Sequence, residues 1–161
     1  MLSKRINQAA PAVQAEAAPP LPAAAPVASA APPAPRRAPG GMTAVRILVV
    51  EDDAMIGPLL AETLTGLGHE VCGIEATEAG AVAAAARHRP DLMIVDLILA
   101  EGTGTAAMER ITRATPVPHL FMSGLARPAA PPGKVLLTKP FREADLVLAI
   151  GRALAPAASP A

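Results

Sequence analysis

Six polar side chains stand where apolar runs end, and their types suit a particular chemistry. Glu51, Asp52 and Asp53 follow RILVV, Asp96 follows LMIV, Ser123 follows HLFM, and Lys139 closes VLLTK. Carboxylates brought to one place repel one another and raise each other's pKa unless a hard cation sits among them. Magnesium fits such a set, because it takes oxygen ligands, keeps several waters and bridges carboxylates to a phosphate. Lys139 supplies a further positive charge and Ser123 a hydroxyl. Together they meet the need of phosphoryl transfer, which is neutralisation of the charge spread over the phosphoryl oxygens.

The elements that must position these groups follow from the apolar pattern. Five short apolar runs, at 46–50, 70–74, 92–95, 119–122 and 135–137, alternate with amphipathic segments, which predicts βα units around a parallel sheet. The runs lack in/out alternation, as strands covered on both faces do. In such a sheet ligands gather at the carboxyl ends of the strands, where the six polar residues fall. Ile56, Leu59, Leu60, Leu64 and Leu67 recur at helical spacing, with Pro58 in the first turn and Gly66 and Gly68 ending the segment. Thr77 is placed to cap a second helix, with Ala79, Val82, Ala83 and Ala86 as its buried stripe and Arg87, His88 and Arg89 at its negative end. A short third helix is expected over 105–113. A last one is expected over 142–154, with Leu146, Ala149, Ile150 and Ala153 inward. Between the fourth and fifth runs, ARPAAPPGK holds three prolines and leaves little room for a regular helix.

Over about residues 45–154 the chain resembles the response-regulator receiver family. The motifs that carry the resemblance are ILVVEDD (47–53), PDLMIVDL (90–97), LFMSG (120–124) and LLTKPF (136–141), in order at the ends of the first, third, fourth and fifth strands. It implies an α/β fold, a five-stranded parallel sheet doubly wound as (βα)5 and flavodoxin-like, here with a short or missing fourth helix. Asp96 would then be the phosphoacceptor. Asp52 would bind Mg²⁺ directly and Glu51 through water, with the backbone carbonyl of Ile98 completing the metal site. Ser123 would hydrogen-bond a phosphoryl oxygen, Lys139 would ion-pair with it, and the Lys139–Pro140 bond would be cis. The donor would be a phosphohistidine on a sensor kinase or a histidine phosphotransfer protein. The resemblance is to a regulator that catalyses only its own phosphotransfer and slow dephosphorylation. Receivers commonly couple to an aromatic three residues before the lysine; Leu136 stands there, so the 124–133 connection is expected to carry the response instead.

Other readings compete at single positions. Asp53 reads better as a helix cap than as a ligand, and Ser123 taken alone reads equally well as a turn residue. Capping cannot account for Asp96, a charge on an otherwise apolar run. Cys72, His69, His88 and His119 are assigned to packing or surface, since no second ligand stands at a metal-like spacing. Gly102, Gly104 and Ala107 match a dinucleotide-binding G-x-G-x-x-A pattern, but no acidic ribose partner follows about 20 residues on, and Asp96 would meet a pyrophosphate with like charge. An Mg²⁺-dependent aspartyl phosphatase of haloacid-dehalogenase type is the alternative function. It wants a second aspartate two residues after the nucleophile, where this chain has Ile98.

Composition bounds the rest. The 161 residues suffice for one domain, and 52% are hydrophobic, although two phenylalanines are the only aromatic residues. Formal charge is zero overall but basic in 1–44 and acidic beyond, so the predicted domain shows no nucleic-acid footprint. A single cysteine excludes an intrachain disulfide and fits a reduced, cytoplasmic compartment. No apolar run is long enough to span a bilayer. Residues 1–44, rich in Ala and Pro, are expected to be disordered, as are 155–161. The first of these segments could instead be a docking arm through Arg36 and Arg37, or could precede a natural start at Met42. With no output module in view, action through partner binding or a phosphorelay is expected.

Overall fold

The computed structural model describes residues 44–125 and 131–155. The 1–43 and 156–161 segments, and with them the expected tails, lie outside the described residues, as does the middle of the 124–133 connection.

Five parallel strands form one sheet: β1 (Arg46–Val50), β2 (Glu70–Glu75), β3 (Leu92–Asp96), β4 (His119–Ser123) and β5 (Val135–Thr138), in the order β2-β1-β3-β4-β5. This is the flavodoxin-like order, with its switch point between β1 and β3. Successive side chains on a strand point to opposite faces, and both faces are buried here. Ile47, Val49, Leu92, Ile94, Leu120 and Met122 face α1 (Ile56–Gly66) and α4 (Glu143–Leu154). Leu48, Val50, Met93, Val95 and Phe121 face α2 (Glu78–His88) and α3 (Gly104–Ala114). That double burial is why the runs read as continuous apolar stretches. Truncating a fully buried leucine such as Leu146 would cost roughly 2–5 kcal/mol.

The helices largely follow the expected pattern. Thr77 caps α2, its hydroxyl accepting from Gly80 N–H at 3.0 Å, and Leu146, Ala149 and Ile150 are buried on α4. Three expectations need correction. Helix α2 buries Ala81, Ala84 and Ala85, while Ala79, Ala83 and Ala86 are exposed. An alanine-rich helix is apolar on every side, so periodicity carries no phase, and the cap and the sheet set the rotation instead. Leu59 is 64% exposed although it sits at helical spacing with Leu60. Helix α3 is not short, since its 11 residues equal those of α1 and α2. Between β4 and β5 no described residue is helical.

The loops after β2 and β3 are joined across the end of β1. Thr77 and Glu101 form a parallel bridge, with Glu78 N–H donating to Glu101 O at 3.0 Å and Ala100 N–H to Ala76 O at 3.3 Å.

Candidate functional site

The expected residues meet at the carboxyl edge of the sheet. Glu51 leaves β1, while Asp96, Ser123 and Lys139 end or follow β3, β4 and β5. Parallel register aligns these ends; Lys139 N–H donates to Ser123 O at 2.8 Å, and Leu97 N–H to Met122 O at 3.0 Å. Glu51, Asp96 and Ser123 are buried and Asp52 is exposed.

Carboxylate oxygens of Glu51, Asp52 and Asp96 lie within 4.8 Å of one another. Lys139 Nζ donates to Glu51 Oε2 at 2.5 Å and to Asp96 Oδ2. Burial pushes the Glu51 carboxyl above its ordinary range, against the opposing pull of the Lys139 hydrogen bond and charge. Burial alone would lower Lys139, but the hydrogen bonds to Asp96 and Glu51 outweigh it and hold the ammonium above its ordinary value. One ammonium faces three carboxyl groups in a small volume, a formal surplus of acidic groups. An all-oxygen donor set carrying that surplus fits a hard divalent cation such as Mg²⁺.

Asp96 is oriented at both oxygens. Oδ2 receives Lys139, and Oδ1 accepts from Ile98 N–H at 3.1 Å. Ser123 Oγ accepts from Leu125 N–H at 3.1 Å, so the turn is made by the very hydroxyl proposed for the site. Asp53 is drawn away: its Oδ1 accepts from Met55 N–H at 2.8 Å and Ile56 N–H at 3.1 Å, ahead of α1. Those bonds hold its carboxyl below the ordinary range. The Lys139–Pro140 bond is cis.

The glycines after Asp96 have a local task. Gly102 has φ +82°, and Gly104, first residue of α3, donates its N–H to Leu97 O at 3.1 Å. A Cβ on Gly104 would run into the backbone carbonyl of Asp96 itself. The sequence marks these glycines only as a discounted dinucleotide pattern, and this close approach is visible in the fold alone. Cys72 donates its thiol to Ile47 O at 3.3 Å, and His119 Nδ1 lies 3.0 Å from Val117 O. His69 is buried, with neither ring nitrogen hydrogen-bonded. Among the described residues, none of Cys72, His69, His88 and His119 joins a metal-binding group.

The response regulator receiver domain model matches residues 47–151. The phyllosphere-induced regulator PhyR of Methylorubrum extorquens is 32% identical over 117 residues, covering 69% of this chain and 44% of the relative. The transcriptional regulatory protein PdtaR of Mycobacterium tuberculosis is 33% identical over 111 residues, 65% of this chain and 54% of the relative. This chain thus spans about half the length of these curated relatives. Among solved structures, the solution NMR structure of the Erythrobacter litoralis PhyR receiver domain superimposes with a TM-score of 0.64 at 32% identity, covering 73% of this chain and 95% of that one. These comparisons lend no support to a haloacid-dehalogenase phosphatase. Among the described residues no helix is long and apolar enough to cross a membrane. The sheet order, the acidic cluster with its lysine and the match over 47–151 make this chain a member of the response regulator receiver family.

Proposed function

We propose that Asp96 is the phosphoacceptor of this response regulator, supplied by a phosphohistidine on a sensor kinase or histidine phosphotransfer protein. The observation that carries the proposal is the Asp96 carboxylate, held between Lys139 and the Ile98 N–H beside Glu51 and Asp52. An Asp96 oxygen attacks phosphorus as the P–N bond breaks, and the leaving imidazole keeps the bond's electron pair and takes up a proton. Lys139, already paired with Asp96, offers its charge to the incoming oxygens, and Ser123 offers its hydroxyl. Glu51, Asp52, Asp96 and the Ile98 backbone carbonyl would hold Mg²⁺, which when bound supplies neutralisation of the phosphoryl charge. The protein acts in the cytoplasm through a partner or a phosphorelay, with no catalysis beyond its own phosphotransfer and dephosphorylation.

Labelling by acetyl phosphate or a phosphohistidine donor tests the assignment. Wild type should acquire one acid-stable, base-labile phosphoryl group, Asp96→Asn none, and Asp52→Ala little unless Mg²⁺ is raised. Label persisting on Asp96→Asn would overturn the assignment.

A further inference from the structure

At the sheet edge opposite Asp96, the C-terminal turns of α2 and α3 leave a cleft of about 490 Å³ between them. Its walls are apolar: Val82 and Ala85 from α2, Ile111 from α3, and Val117 from the segment before β4. Arg89 and Arg110 also line it, and no carboxylate does. Arg110 leans on Glu78 at 3.0 Å, and Arg87 reaches towards Glu75 at 3.9 Å. Arg89 and Arg113 are exposed and form no ion pair among the described residues. The apolar cleft is thus lined by two arginines and no carboxylate, and one of the two, Arg89, forms no ion pair among the described residues.

The shape of α2 extends the surface beyond the cleft. Ala79, Ala83 and Ala86, the stripe that periodicity marks for burial, are exposed along the helix beside half-buried Val82. Small side chains let a second helix approach at the short end of interhelical distances.

We propose that this cleft and the alanine stripe form a docking site for an acidic amphipathic helix of another protein. Its apolar residues, at helical spacing, would seat on Val82, Ala85, Ile111 and Val117, with its carboxylates against Arg89 and Arg110. The absence of any lining carboxylate favours an acidic occupant. The stripe running past the cleft favours a helix over a compact small molecule. An 11-residue helix is about 16 Å long, so occupancy at this end leaves Asp96 open to a phosphodonor.

The test uses the full chain, isotopically labelled and titrated with a synthetic amphipathic peptide carrying leucines at helical spacing flanked by glutamates. A matched peptide has lysine at every glutamate position. The glutamate peptide should shift the amide resonances of Ala85, Ala86, Ile111 and Val117 and bind at least ~10-fold more tightly than the lysine peptide, with an advantage that shrinks as salt is raised. Arg89→Glu and Ala86→Glu should each weaken it about ten-fold at an unchanged melting temperature, which shows that the fold is kept. Equal affinity for the two peptides, shifts on another surface, unaltered binding by Arg89→Glu, or no shifts at millimolar peptide would each overturn the proposal. So would concentration-dependent shifts at these residues without peptide, which would assign the cleft to a second copy of this chain.

Discussion

The lifetime of the phosphorylated state should be set by two apolar residues at the rim of the site. Hydrolysis of an aspartyl phosphate needs a water in line with phosphorus and opposite the leaving carboxylate, and a polar rim side chain is the simplest means of holding it. Ile98, two residues after Asp96, is 52% exposed, and Leu125, two after Ser123, is 46% exposed. Their backbones are held at the rim, because Ile98 N–H is bound to the Asp96 carboxylate and Leu125 N–H to the Ser123 hydroxyl. Neither side chain can orient a water, and both can exclude one. An orienting contact worth one to two orders of magnitude corresponds to roughly 1.4–2.7 kcal/mol in the barrier. Ile98→Asn with Leu125→Glu should therefore shorten the phosphoryl lifetime by about ten-fold or more. Because both positions are exposed, the changes should alter stability by no more than about 0.5 kcal/mol, so a melting curve controls for damage. The added glutamate lies near a cluster with surplus negative charge, and Ile98→Asn alone provides the neutral comparison. After the donor is removed by gel filtration, label on each protein is followed with time in Mg²⁺ buffer. Equal lifetimes for wild type and both variants would refute rim control.

Further outcomes follow from single contacts. Gly104→Ala forces a methyl into the Asp96 carbonyl and should cost about 1–3 kcal/mol in denaturant unfolding while reducing phosphoryl labelling, whereas Gly151→Ala, with open space around it, should do neither. Lys139→Met should abolish stable phosphorylation at neutral pH and leave Glu51 and Asp96 without their cation, so that its stability, measured by thermal melts, improves as pH falls towards the raised Glu51 pKa. Burial lowers His69 below its ordinary 6.5, so the unfolded chain binds the proton first. The neutral ring's contribution is complete above about pH 6.5 and is lost as pH falls through that value towards the folded pKa. His69→Leu should therefore flatten stability against pH in that window and, by removing two unsatisfied buried nitrogens, leave the midpoint unchanged or higher.

Much of the site was legible because parallel strands buried on both faces exclude charge. Glu51 and Asp96 therefore stand out as candidate site residues from polarity alone, and their convergence with Lys139 follows from strand order. Asp53 differs, because its carboxylate accepts from the N–H groups two and three residues on. Three features were hidden for physical reasons. The alanines of α2 give no rotational signal, so its buried side was assigned wrongly. Leu59 obeys helical spacing, yet the helix turns it to solvent. The approach of Gly104 to Asp96 is a contact between loop and strand that no periodicity encodes.

The bridge between Thr77 and Glu101 has a mechanical consequence. It ties the segment leaving Asp96 to the first turn of α2 through two backbone hydrogen bonds. Detaching it would forfeit about 1 kcal/mol for each. Displacements of residues 98–103 that release less strain than this must travel with α2 attached. The first turn of α2 thus shares the mechanical state of the Asp96 loop, although Thr77 and Asp96 belong to units of the fold separated in the sheet by β1.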